Sequence, residues 1–72
     1  MMTLTEEIMK YLIEDIAENG GTGRRLSKIQ WELEHYVEDN IFYRAVQELV
    51  DSGLAHIEEI PDLNYVYLVP NP

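Results

Sequence analysis

The chain has 72 residues, with fourteen acidic side chains against five basic ones, a formal net charge of −9 and no cysteine. This length suffices for one small domain, and the absence of cysteine excludes disulfide bridges and thiolate zinc sites. The excess of carboxylates disfavours nucleic-acid binding, because phosphate repels them, although net charge does not determine the fold.

The first predicted element is an amphipathic helix over residues 4–18. Thr3, followed three residues later by Glu6, forms a capping-box pattern at its start, and Gly20 fits a left-handed cap at its end. Apolar residues recur at helical spacing on one side of this segment, which predicts a buried face. They are Ile8, Met9, Leu12, Ile13 and Ile16.

A second helix is predicted over residues 28–36, after a loop or short extended segment. Ser27 and Gln30 repeat the capping-box spacing at its start. The sequence EDN after it is typical of a turn, with Asp39 or Asn40 as the N-cap of the next helix. The expected inner face of the second helix contains Ile29, Leu33, Tyr36 and Val37.

A third helix over residues 40–52 and a β-hairpin over residues 54–69 complete the predicted elements. Gly53 occupies the position just past the third helix where glycine is favoured. Two β-rich runs, LAHIEEI and YVYLVP, flank the turn sequence PDLN, which predicts the hairpin. The expected inner face of the third helix contains Phe42, Ala45, Val46 and Leu49.

The segment LSKIQWELEHYVEDNIFYRAVQELVDSGLAHI carries a resemblance to a known family. It combines the spacing of Ile29 and Leu33, the run FYRAV over residues 42–46 and the glycine at Gly53, with a turn of about three or four residues between two helices. The pattern resembles the winged helix-turn-helix family over nearly the whole chain. The resemblance implies a single small α+β domain over residues 1–72, with three helices and a β-hairpin wing.

The resemblance also implies a sequence-specific DNA-binding transcription regulator whose third helix reads bases. Asn40, Arg44 and Gln47 share the outer face of that helix with Asp51. Tyr43 flanks them and is a further candidate for contact with bases. In a major groove, arginine pairs with guanine, and asparagine or glutamine pairs with adenine, through two hydrogen bonds each. The alternative is an ordinary polar helix face in contact with solvent.

Basic residues cluster before and at the start of the second helix. The resemblance implies that Arg24, Arg25 and Lys28 contact DNA phosphates. The alternatives are a solvated charge cluster, or pairing with the many carboxylates nearby. The hairpin departs from the DNA-binding pattern, because its tip PDLN follows Glu58 and Glu59. Phosphate would repel such a wing.

Trp31 falls on the outer face of the second helix, away from Ile29 and Leu33. Either it covers N-terminal residues or the preceding loop, or it anchors an interface, since tryptophan is enriched at binding hot spots. The second interpretation predicts an acidic protein-interaction module, or a DNA mimic that blocks a basic partner. A homodimer is a further alternative, with Tyr11 or Trp31 at the contact.

No enzymatic signature is present. His35 and His56 have no metal-ligand spacing, and no glycine-rich loop carries the lysine and serine or threonine of a phosphate-binding loop. The sequence therefore predicts no catalytic activity, no metal and no cofactor. Short apolar runs and the absence of a signal-peptide pattern at the start predict a cytoplasmic protein outside the membrane.

Overall fold

The structure, a computed structural model, describes all 72 residues and contains three α-helices and a three-stranded antiparallel sheet. The predicted α+β class is therefore confirmed. A 3-10 turn over Pro61–Leu63 joins the last two strands. In chain order, the elements are α1 (Leu4–Asn19), β1 (Arg24–Arg25), α2 (Leu26–Glu32), α3 (Asp39–Asp51), β2 (Ala55–Ile60) and β3 (Tyr65–Pro70).

The capping box at the start of α1 is present as predicted. The Thr3 hydroxyl accepts a hydrogen bond from the Glu6 backbone amide at 3.2 Å, and the Glu6 carboxylate accepts one from the Thr3 amide at 2.9 Å. The two contacts satisfy two of the amides that a helix start leaves without intrahelical partners. At the other end, the Gly20 amide donates to the Ile16 carbonyl at 2.8 Å.

The buried face of α1 is narrower than its sequence predicts. Ile8 and Leu12 are fully buried, whereas Ile13 is exposed, so its assignment to the buried face is wrong. The face of α1 that meets the core extends instead towards Leu4 and Tyr11. These two side chains pack against the core and remain partly exposed. The predicted stripe was too wide because the sheet and the other helices cover only one side of α1.

The second helix begins two residues earlier and ends four residues earlier than predicted. The capping box at Ser27 is wrong, because Arg25 holds the N-cap position and makes no side-chain cap. The Gln30 side chain instead donates to the Val37 carbonyl at 2.9 Å and to the Asp39 carboxylate at 2.8 Å. Gln30 thus ties α2 to the start of α3.

Residues 33–38 form an irregular connection of six residues, longer than the predicted turn. Leu33 has an extended backbone that ends α2, and it packs with Val37 against the core. Tyr36 is 83% exposed, so its predicted place on the inner face is wrong. Helical spacing does not set its direction, because α2 has already ended at Glu32.

The predicted inner face of α3 is confirmed, since Phe42, Ala45, Val46 and Leu49 are all buried. The helix begins at Asp39 after Glu38, so neither residue predicted for the N-cap occupies it. At the C-terminus, Gly53 has a φ of 77°. The Gly53 and Leu54 amides donate to the Val50 and Leu49 carbonyls, both at 3.1 Å, which is the Schellman arrangement.

The sheet has the order β1-β3-β2, so the central strand is the last one in the chain. Leu68 in β3 lies between Arg24 of β1 and Ile57 of β2, and it is fully buried against the helices. One continuous apolar core results. It comprises Ile8, Leu12, Leu26, Ile29, Val37, Phe42, Ala45, Val46, Leu49, Ala55 and Leu68.

Candidate interaction surface

The predicted base-reading face of α3 is exposed along its length. Asn40 and Arg44 are exposed, and neither side chain makes a hydrogen bond or ion pair within the chain. Gln47 differs, because its amide donates to the Asp51 carboxylate one turn later, at 2.8 Å. Two of the three predicted base readers are therefore free, and the third is hydrogen-bonded along the helix.

Arg44 and Tyr43 lie on opposite flanks of α3. Arg44 borders a depression beside Thr3 at the start of α1. Tyr43 borders a different depression, which it shares with Arg25 and Tyr65 on the sheet side. The Arg25 guanidinium lies over the Tyr65 ring, 4.3 Å from its centroid. The structure therefore does not bring these arginines together into one basic patch.

Arg24 is held inside the fold. Its guanidinium forms an ion pair with Asp15 and donates to the Gly20 carbonyl at 2.7 Å and the Gly23 carbonyl at 2.8 Å. A cation at this place also interacts favourably with the C-terminal dipole of α1. The side chain is only 14% exposed. These contacts remove Arg24 from the predicted set of phosphate ligands.

Lys28 remains at the surface. Its ammonium lies 3.6 Å from the Glu32 carboxylate one turn later in α2, and both side chains are about half exposed. Surface pairs of this kind contribute little to stability. Lys28 is therefore available to a partner, although Glu32 offsets its charge.

The pair formed by Asp15 and Arg24 should make stability sensitive to acid. The hydrogen bond from Arg24 lowers the pKa of Asp15, and the hydrogen bond from Asn19 acts in the same direction. A lowered folded-state pKa contributes stability that is present above the unfolded-state pKa and is lost as pH falls through the folded-state value. We expect Asp15→Asn to reduce the thermal midpoint at neutral pH and to reduce its dependence on pH below about 4. Thermal scans of both proteins measure this, and parallel curves would contradict it.

Trp31 is 87% exposed, so the interpretation that it covers the N-terminal residues or a loop is wrong. Its placement on the outer face of the second helix is confirmed. Together with Tyr36 it borders a groove between α2 and the start of α3, which we call the aromatic groove. The groove is lined by Ser27, Gln30, Trp31, Leu33, Glu34, His35, Tyr36 and Asp39.

A second groove adjoins the first, because His35 and Tyr36 line both. It lies between the first residues of the chain and the start of α3, and we call it the N-terminal groove. Its apolar side chains include Leu4 and Ile41. The full lining is Met1, Met2, Leu4, Glu7, His35, Tyr36, Val37, Glu38 and Ile41.

The side-chain charges around the two grooves are mainly negative, although His35 lines both grooves and Met1, which carries the terminal ammonium, lines the second. Glu7, Glu34, Glu38 and Asp39 line them, and no lysine or arginine does. Sequence reasoning missed this surface because it continued the second helix through Tyr36. Apolar residues four apart at positions 33 and 37 fit a helix equally well, so no signal in this stretch marks the early end.

Tyr11 does not share a groove with Trp31. Its side chain projects from α1 towards the end of α2, beside Glu14 and Leu33, and is partly buried against the core. Desolvation raises the pKa of its hydroxyl, and the nearby carboxylate of Asp15 acts in the same direction. Tyr11 is therefore a packing residue with one exposed edge, and Trp31 has the freer surface.

Trp31 is the only tryptophan, so its fluorescence reports directly on this surface. We expect a red-shifted emission in the free protein and efficient quenching by acrylamide, because water reaches most of the indole ring. A spectrum and a quenching titration, compared with those after unfolding in denaturant, measure this. Blue-shifted emission with weak quenching would mean that the ring is covered in solution.

The remaining titratable residues form no recognisable reaction centre. His56 Nδ1 lies 2.6 Å from Asn71 Oδ1, and its other ring nitrogen lies 3.1 Å from the Glu58 carboxylate. No group of three or more acidic or histidine side chains is placed to hold a metal ion. None of the helices combines the length and apolar character needed to cross a membrane.

Comparisons with known proteins do not assign a function to the chain. No family model, no curated protein and no solved structure matches the chain. The function is therefore argued from exposure, charge and the contacts of named side chains.

Proposed function

We propose that the chain is a winged helix-turn-helix domain that acts as a protein-interaction module, with the aromatic groove as its contact surface. Three helices followed by a hairpin support the fold part of the proposal, although the connection between α2 and α3 has six residues where the resemblance implies three or four. The exposure of Trp31 supports the functional part. A wholly exposed indole contributes nothing to the domain's own core.

Trp31 is the main support for the proposal, because burial of its side chain by a partner would contribute strongly to the free energy of binding. Tryptophan buries roughly 150–250 Å² when covered, and truncating a hot-spot residue typically costs about 2 kcal/mol or more. Tyr36 adds a second exposed aromatic ring on the same groove. Half-buried and exposed apolar side chains continue from it into the N-terminal groove. A protein surface can cover this area with apolar side chains, whereas the backbone of a duplex presents mainly charged phosphates.

Charge favours a protein over DNA as the partner. Fourteen acidic residues oppose five basic ones, and the Arg24 charge is neutralised by Asp15. The start of the recognition helix enters the major groove in helix-turn-helix proteins. Here that end carries Glu38 and Asp39, which suit the helix dipole and repel phosphate.

DNA binding through α3 is the second candidate, and one observation favours it. Asn40 and Arg44 are exposed on the outer face of α3 and have no partner within the chain. In a major groove they suit adenine and guanine respectively. Of the cations predicted to contact DNA, three remain for phosphate, namely Arg25, Lys28 and Arg44, so the log–log salt slope would be no steeper than roughly −3 per protomer.

Two measurements separate the candidates. The first is binding to duplex DNA of random sequence at low salt, which we expect to be undetectable. The second begins with capture of a partner by the immobilised chain and then uses that partner in purified form. We expect Trp31→Ala to weaken the reconstituted complex by about thirtyfold, corresponding to a hot-spot loss of about 2 kcal/mol.

Arg44→Ala is the matched control, since Arg44 is also exposed and lies on the predicted DNA face. It should leave the protein complex unchanged. The opposite pattern would overturn the proposal: salt-dependent DNA binding abolished by Arg44→Ala, together with a purified partner indifferent to Trp31→Ala.

A further inference from the structure

We infer that the partner presents a short segment of alternating basic and apolar side chains, which lies along the aromatic groove and the N-terminal groove. This inference rests on the proposed function and names the chemistry of the partner. It combines the charge of the lining, one unpartnered carboxylate oxygen and the two exposed aromatic rings.

The lining selects a cationic partner. Carboxylates stand on both grooves, Glu34 and Asp39 on the aromatic groove and Glu7 and Glu38 on the N-terminal groove. No lysine or arginine of the chain lines either groove, and the basic groups there are the His35 ring and the terminal ammonium of Met1. Complementary charge steers association and suppresses partners of the wrong sign. An acidic segment would meet repulsion along the whole surface.

Glu7 adds a specific site for a donor. One carboxylate oxygen, Oε2, is buried and has no hydrogen-bond donor within the chain. A buried acceptor without a donor is unfavourable, and hydrogen bonds to charged groups are among the stronger ones. Glu7 lines the N-terminal groove beside Leu4, and it also lines the depression that contains Tyr11. Because the oxygen is buried in the free chain, a lysine or arginine from the segment would supply the donor by drawing the Glu7 side chain outwards into the groove.

The exposed rings of Trp31 and Tyr36 also favour a cationic partner. Lysine and arginine are attracted to the faces of tryptophan and tyrosine within about 6 Å. The chain already contains one such contact, Arg25 over the ring of Tyr65 at 4.3 Å. No lysine or arginine lines the aromatic groove beside Trp31 and Tyr36.

A second copy of this chain is a poor occupant. Each copy carries a formal charge of −9, so two copies repel each other. Of the five basic residues, Arg24 is held by Asp15, and Lys28 lies beside Glu32. The apolar side chains of the N-terminal groove, Leu4 and Ile41 among them, require apolar residues between the cations. A basic and apolar segment of another protein meets both conditions.

The test uses three fluorescein-labelled synthetic peptides of about 12 residues, a length that suits groove recognition. The first contains lysine and leucine, the second has glutamate in place of lysine, and the third has glycine in place of leucine. Fluorescence anisotropy with the intact chain measures binding at low and at moderate salt. We expect the lysine–leucine peptide to bind at least about tenfold more tightly than either of the others.

Two pairs of variants distinguish binding in the grooves from general attraction to the negative charge of the chain. Trp31→Ala should weaken the lysine–leucine peptide by about tenfold and Glu38→Gln by about threefold. Their matched controls on the hairpin are Leu63→Ala and Glu59→Gln, which should change binding by less than about twofold. All four positions are exposed, so each variant is expected to fold, as circular dichroism will show.

Each result decides the inference. Equal losses with Glu38→Gln and Glu59→Gln, or no saturable binding of the lysine–leucine peptide, would overturn it. Binding of the glutamate–leucine peptide that depends on Trp31 would also overturn it, yet would leave the protein-interaction function standing. The proposed function itself fails on the separate pattern given above, in which Arg44→Ala abolishes salt-dependent DNA binding and the purified partner is indifferent to Trp31→Ala.

Discussion

Replacing Leu49 by alanine should lower the free energy of unfolding by about 2–5 kcal/mol, through lost apolar transfer and the cavity left behind. Leu49 is 2% exposed and lies in the core that joins the helices to the sheet. A domain of this size has a total stability of only about 4–11 kcal/mol. We therefore expect a large fall in the thermal midpoint, and a chain that is partly unfolded at physiological temperature.

The same substitution at Leu63 provides the control. Leu63 lies at the tip of the hairpin and is 58% exposed, so Leu63→Ala should change stability by less than about 0.5 kcal/mol. Denaturant titrations of the two variants measure the contrast, because side-chain chemistry is identical and only burial differs. Similar losses at both sites would show that the hairpin tip packs in solution or that Leu49 does not lie in the core.

The third helix was the most predictable element, and the reason is physical. Phe42, Ala45, Val46 and Leu49 recur at helical spacing and are buried on one face, and a glycine with positive φ follows the helix. The second helix was mispredicted because its end depends on contacts distant in sequence. Gln30 bonds to Val37 and Asp39, and these bonds hold an extended connection that local propensity does not encode.

The candidate surface was predictable only in part, for the same reason. The outer position of Trp31 follows from helical spacing alone, and the structure confirms it. The sequence analysis did not predict that Trp31 and Tyr36 border the same groove, because this depends on the early end of α2. Pairing of Arg24 with a carboxylate was one of the alternatives, but its partner was not predicted, because Asp15 is nine residues earlier and lies in another element.

Substituting alanine at Gly23 should cost about 1–3 kcal/mol, the usual range for overpacking a close-packed site. A Cβ atom at this position would lie 2.6 Å from the Leu68 carbonyl oxygen and 2.7 Å from a methyl carbon of Val69. Gly23 directly precedes β1, whose pairing with β3 attaches the segment between α1 and α2 to the sheet. Relief of the clash requires movement of the β3 backbone, and Leu68 has no room to move because it is fully buried.

Substitutions at Gly53 distinguish the steric cost of a side chain from the cost of backbone strain. The φ of Gly53 is 77° and a Cβ there would meet no atom within 4 Å, so only backbone strain opposes a side chain. Asparagine tolerates that conformation better than alanine does, so Gly53→Asn should be milder than Gly53→Ala. At Gly23 the order should reverse, because the larger side chain worsens the clash. Thermal unfolding of the four variants tests both orders. A Gly23→Ala variant as stable as the parent would mean that β1 does not pack against β3 as closely as described, and that the ion pair of the adjacent Arg24 is not held by the sheet.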